Sequence, residues 1–114
     1  MQHRDKITLQ KILNAIDEAI EVLSDTSKEE FLENKTLKLA MGMSIIRVGE
    51  LVKTLTSEFR KKNSQVPWRD ITGFRDVAAH KYEIIDMAEV YDTIQEDFPE
   101  LKLQIEKILE ADKT

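Results

Sequence analysis

From residue 7 to 23 the apolar side chains fall at Leu9, Ile12, Leu13, Ile16, Ala19, Ile20 and Leu23, the three-four spacing of a helix with one buried face. The polar stretch 24–27 ends that pattern, and Ser27 followed by Glu30 has the spacing of a capping box for a new helix. The second pattern is long, 28–62, with a bend expected near Asn34. Between Leu37 and Leu55 its apolar residues occupy more than one face, which predicts a helix at the centre of a bundle. Gly42 and Gly49 lie seven residues apart, on nearly the same side of it. Glycine costs a helix roughly 1 kcal/mol relative to alanine, so close approach by another helix, from this chain or a second copy, is the expected reason for both.

Residues 63–67 form a polar break. A third helix is expected from Trp68 or Arg69 to about His80, then a loop over 81–85. Asp86 with Glu89 predicts a fourth helix reaching 96. Asp97 with Glu100, and Pro99 in the first turn, predict a separate last helix over 98–110. These elements add up to an all-α, single-domain, up-and-down bundle of four to five helices over residues 1–114.

Composition agrees: hydrophobic residues at 41% and charged ones at 34% suit one modest core rather than a disordered chain. Only three Gly and two Pro occur, which favours helix. With no cysteine, disulfides and thiolate metal sites are excluded, and a reducing cytoplasm is the expected location. The polar segment 1–5 is unlike a signal peptide, and no apolar run approaches the roughly 20 residues of a membrane helix. A net charge of −5 and a pI near 5.1 argue against broad, charge-driven coating of nucleic acid. They leave room for a short, local cationic site.

Histidine is scarce. His3 lies in a segment expected to fray, so His80 is the candidate structured imidazole. Arg75, Asp76, His80 and Tyr82 place an always-charged donor, a carboxylate, a group that titrates near neutrality and a phenol within eight residues. On a helix His80 shares a face with Asp76, four residues earlier, and Tyr82 nearly aligns with Arg75 if the helix continues. Arg75 and His80, five apart, diverge by about 140° on a regular helix. They converge on one phosphate only if the helix ends near His80 or a second chain contributes.

That combination suits RNA cleavage by the 2′-OH, which needs proton transfer and stabilisation of phosphoryl charge. Histidine fits either proton role, and the arginine fork fits the transition-state charge. A two-fold dimer would bring two copies of each residue to one cleft. Glu50, on an otherwise apolar stretch, predicts a buried or interfacial carboxylate able to hold Arg75 or Arg69. Trp68 is expected to anchor the core, and the basic run 60–62 to be solvated surface or, less simply, a guide for a phosphate backbone. Carboxylates without a His or Cys cluster give no metal site, and no cofactor is expected.

The run Arg75-x4-His80-x-Tyr82 resembles the R-x4-H-x-Y signature of the HepT-like toxins, a branch of the HEPN superfamily. The similarity extends to Val48-Gly49-Glu50, to Val66-Pro67-Trp68-Arg69, to Asp86 and to Asp97-Phe98-Pro99-Glu100-Leu101, and so covers most of the chain from Phe31 onward. The resemblance implies a helical homodimer acting as a metal-independent ribonuclease, encoded beside a nucleotidyltransferase antitoxin. It implies Arg75 and His80 as the catalytic pair, Asp76 assisting, and Tyr82 as a residue the antitoxin adenylylates. Arg69 could touch RNA, although a structural ion pair is its simpler role.

The chain departs from the pattern in two places. Asp76 stands where Asn is common, adding negative charge where RNA would approach, or orienting His80. Glu83-Ile84 follows Tyr82 where an aromatic and a small residue are common. Two other functions fit the same residues: a non-catalytic helical partner of a nucleotidyltransferase with Tyr82 as acceptor, and a helical module that keeps the motif for dimer packing alone.

Overall fold

A computed structural model describes residues 1–113. Helix α1, His3–Leu23, begins a full turn before the apolar pattern does, so His3 lies in its first turn. It turns Leu9, Ile12, Ile16 and Leu23 into the core. Asp25 closes it in the left-handed region at φ 63°. The Ser27–Glu30 capping box forms as expected, with both reciprocal bonds at 3.1 Å, and starts α2, Lys28–Glu33.

The long helix expected over 28–62 is three helices. Asn34 does more than bend it: its Oδ1 accepts from Leu37 N–H and caps α3, Lys35–Lys53. A second break, over 54–56, separates α4, Ser57–Lys62. Its cause lies far away in sequence. Asp5, only 1% exposed, accepts from Thr56 N–H at 2.8 Å and from Thr56 Oγ1 at 2.6 Å. Thr56 Oγ1 in turn caps Phe59 N–H. A buried carboxylate from the first turn of α1 thus draws out a backbone amide that a continuous helix would have used itself.

Helix α5, Trp68–His80, matches its expected bounds. Trp68 is buried as an anchor, its Nε1 donating to Asn63 O at 3.0 Å and its ring 5.9 Å from that of Phe59. The expected loop after it holds a short 3-10 turn, Tyr82–Ile84. Asp86 then caps α6, Met87–Asp92, accepting from Ala88 and Glu89 N–H.

The two last helices expected are one unbroken rod. Asp97 does not cap. Instead α6 runs through a π-helical segment, Thr93–Asp97, into α7, Phe98–Asp112. Proline inside an α-helix removes one amide and clashes with the carbonyl four residues back. The wider π turn, in which Phe98 N–H reaches back to Thr93 O, absorbs Pro99 without breaking the rod.

Four rods run up and down. Contacts pair residue 4 with 54 and 18 with 47, 53 with 76 and 42 with 82, and 1 with 112 and 17 with 102, so α3 is antiparallel to α1, α5 to α3 and α7 to α1. Helix α3 is central, packed by α1, α5 and α6, and its contact with α5 is the most extensive in the molecule. The all-α up-and-down bundle is therefore as expected, with α2 and α4 as short connecting helices.

Candidate functional site

The seam between α3 and α5 holds most of the candidate residues. A Cβ added to Gly49 would stand 2.1 Å from Arg75 Cβ and 2.5 Å from its Cγ. One added to Gly42 would stand 3.0 Å from Tyr82 Cε2. Both glycines are therefore explained by close approach within the same chain. The two pairs are in step: seven residues separate Gly42 from Gly49 and Arg75 from Tyr82. Although α5 ends at His80, the 3-10 turn keeps the Tyr82 ring on the α3 side.

Arg75 lies along α3, its side chain 16% exposed. Its Nη2 pairs with Glu50 and its Nη1 lies 2.9 Å from Asp76 Oδ1. The Nε is buried without a hydrogen-bond partner. Of the two alternatives for Glu50, buried or interfacial, half exposure in the single chain excludes the first, and Glu50 holds Arg75 rather than Arg69. Asp76 Oδ1 also accepts from Lys53 Nζ at 2.6 Å. Hydrogen bonds from Lys53 and then Arg75 hold the Asp76 carboxyl below the usual carboxylate range. No bond joins Asp76 to His80 among the described residues, so the carboxylate serves the cations rather than orienting the imidazole.

His80 is exposed in the last turn of α5. Because α5 is regular up to that residue, Arg75 and His80 diverge by about 140° around it. Arg75 faces α3, while His80 is exposed about 40° around the helix from Asp76. No hydrogen bond joins Arg75 to His80 among the described residues. Arg69 is exposed and forms no ion pair among the described residues, contrary to its simpler expected role. It lies eleven residues before His80, on nearly the same face of α5 and roughly 16 Å away along it. The basic run 60–62 sits beside the opposite end of α5, a helix length from His80.

Sequence reasoning missed Lys53. Its signal was available: it stands three residues after Glu50, on the same face of the central helix. Tyr82 is half-buried, and its hydroxyl has no hydrogen-bond partner among the described residues. Among those residues no group of three or more histidines or carboxylates is placed to hold a metal ion. No described helix is long and apolar enough to cross a membrane.

Comparison with known proteins places this geometry in context. A "Putative RNase" of Caldanaerobacter subterraneus subsp. tengcongensis is 37% identical over 105 residues, covering 92% of this chain and 94% of that protein. A "Putative RNase" of Methanocaldococcus jannaschii is 34% identical over 110 residues, covering 96% of this chain and 95% of that protein. A "Probable ribonuclease HepT" of Thermococcus cleftensis is 31% identical over 100 residues, covering 84% and 91%. No solved structure matches the chain. The family model described as Ribonuclease HepT-like matches residues 12–108, from the first core turn of α1 to the last turns of α7. With almost the whole bundle so matched, the chain belongs to the HepT-like ribonuclease family.

Proposed function

We propose that the protein is a metal-independent endoribonuclease toxin whose working site is a cleft between two copies. The observation that carries this reading is the disposition of the motif on α5. Arg75 is fixed against α3 by Glu50 and Asp76, while His80 stands exposed on another face. A single chain so arranged offers one charge stabiliser and one proton carrier, on different sides of α5. A second copy supplies the missing partner of each.

The face of α3 that carries Glu50 also carries Leu39 and Met43, which are 55% and 61% exposed. Large apolar side chains left open in a row on a central helix support an interface there. A partner seated on that row would lie over the α3–α5 seam. In the reaction, one His80 removes the proton of an RNA 2′-OH, whose oxygen attacks the adjacent phosphorus. A second His80, protonated, delivers a proton to the departing 5′-oxygen. Arg75 stabilises the charge on the phosphoryl oxygens. The products are a 2′,3′-cyclic phosphate and a 5′-hydroxyl. Arg69, without an ion pair among the described residues and on the His80 side of α5, would meet a phosphate further along the strand.

The partner that silences such a toxin would be a nucleotidyltransferase antitoxin acting on Tyr82. The unbonded hydroxyl supports Tyr82 as an acceptor, and a nucleotide there would set negative charge beside the cleft and repel RNA. That same hydroxyl favours a second reading, in which the chain is a non-catalytic partner of the transferase. Incubation of a mixed RNA pool with purified protein in excess EDTA, with His80→Ala in parallel, decides between them. Cyclic phosphate ends lost in the variant support the ribonuclease. Absence of cleavage by folded, dimeric protein unmodified at Tyr82 favours the partner reading.

A further inference from the structure

Four charged side chains meet at the middle of the α3–α5 seam. Glu50 and Lys53 come from α3, Arg75 and Asp76 from α5, and each carboxylate touches at least one cation. Their formal charges cancel. Asp76 Oδ1 is the shared atom, accepting from Lys53 Nζ at 2.6 Å and from Arg75 Nη1 at 2.9 Å. Both cations draw on the same oxygen. Without Lys53, Arg75 would face two carboxylates alone, and a phosphate approaching it would meet a net negative site. The negative charge of Asp76, which at first sight opposes RNA binding, is thus answered from the neighbouring helix.

We infer that Lys53 is a positioning residue of the ribonuclease site, neutralising Asp76 so that Arg75 keeps its capacity for a substrate phosphate. The inference rests on the ribonuclease reading above and adds to it a residue that the R-x4-H-x-Y motif does not contain. Lys53 acts through Asp76, so the loss of the lysine is felt only while the carboxylate is present. The simpler role for a lysine in the last turn of a helix is to complement the helix dipole. That role would affect stability and leave RNA untouched.

The experiment compares wild type, Lys53→Met, Lys53→Arg, Asp76→Asn and the Lys53→Met/Asp76→Asn double variant in steady-state cleavage of a short oligoribonucleotide. Binding of the same RNA is measured in parallel on the His80→Ala background. Lys53→Met should raise KM and weaken RNA binding about tenfold, with a smaller change in kcat. Lys53→Arg, which keeps the charge, should stay near wild type. Asp76→Asn added to Lys53→Met should restore KM and affinity to those of Asp76→Asn alone. Circular dichroism and thermal melting verify that each variant is folded.

An active wild type with Lys53→Met unchanged overturns the inference and leaves the ribonuclease reading intact. So does a double variant whose losses simply add, because the two residues then act independently. A wild type that neither cleaves nor binds RNA overturns the ribonuclease reading and the inference together.

Discussion

One methyl group added to each of the three glycines should have three different effects. Replacing glycine by alanine within a helix gains roughly 1 kcal/mol. At Gly73 a Cβ meets nothing within 4 Å, so Gly73→Ala should stabilise the protein by about that amount. At Gly42 the nearest atom is the far edge of the Tyr82 ring at 3.0 Å, which a small ring shift relieves. The gain and the strain there should nearly cancel. At Gly49 the Cβ would overlap Arg75 Cβ at 2.1 Å, and that atom moves only with its helix. Overpacking of this kind costs about 1–3 kcal/mol, so Gly49→Ala should be net destabilising. Denaturant melts of the three variants test the order; Gly49→Ala as stable as Gly73→Ala would contradict it. The residues of the motif, and Glu50 as holder of Arg75, were legible in the sequence because their types and spacing are chemical. For Lys53 only the spacing from Glu50 was legible; its bond to Asp76, 23 residues away on another helix, was not.

Helices end where a local signal or a distant group captures their backbone, and only the first is written nearby. Ser27–Glu30 and Asn34 are local and were readable. The break over 54–56 carries one local signal, the N-cap Thr56, but the acceptor that holds Thr56 N–H is Asp5, 51 residues earlier, which the flanking sequence does not announce. Asp5→Ala would leave Thr56 N–H without its acceptor in a part-buried position. It should cost about 1–3 kcal/mol, and hydrogen exchange should show α4 fraying first. Uniform weakening of exchange protection, with none concentrated in α4, would count against the clasp. The opposite misreading occurred at Asp97, whose capping signal is real in sequence but silent, because the π segment carries the helix through it. Asp97 is exposed, but partial desolvation by its neighbours is the first cause that pushes its carboxyl above the ordinary value of 3.8, with Glu100 and Asp92 adding repulsion. A carboxyl raised on folding weakens the fold as pH climbs above its unfolded value. Asp97→Asn should therefore raise the melting temperature at neutral pH, and the gain should vanish below pH 3.8. An unchanged or lowered Tm at neutral pH would refute this.

At the scale of the whole molecule, the proposed function makes assembly and activity one property. Met43→Glu places a charge on the open row of α3 without touching the core. The variant should sediment as a monomer, keep its helical spectrum and lose RNA cleavage. A monomer that still cleaves RNA would show that one chain suffices. The up-and-down arrangement was readable from periodicity because amphipathic rods of similar length have few ways to bury their stripes. The exposure of Leu39 and Met43 was not, since they look like core residues until the neighbours that do not cover them are known. The paired glycines also limit how the molecule can move. Sliding α5 by one helical turn, about 5.4 Å, would carry Arg75 from Gly49 towards Ile45 or Val52, both of which bear buried side chains. It would part Tyr82 from Gly42 at the same time, so a change of register loses two close contacts at once. The paired glycines thus favour one setting of the seam, and switching through what approaches it disturbs less than a ratchet within it.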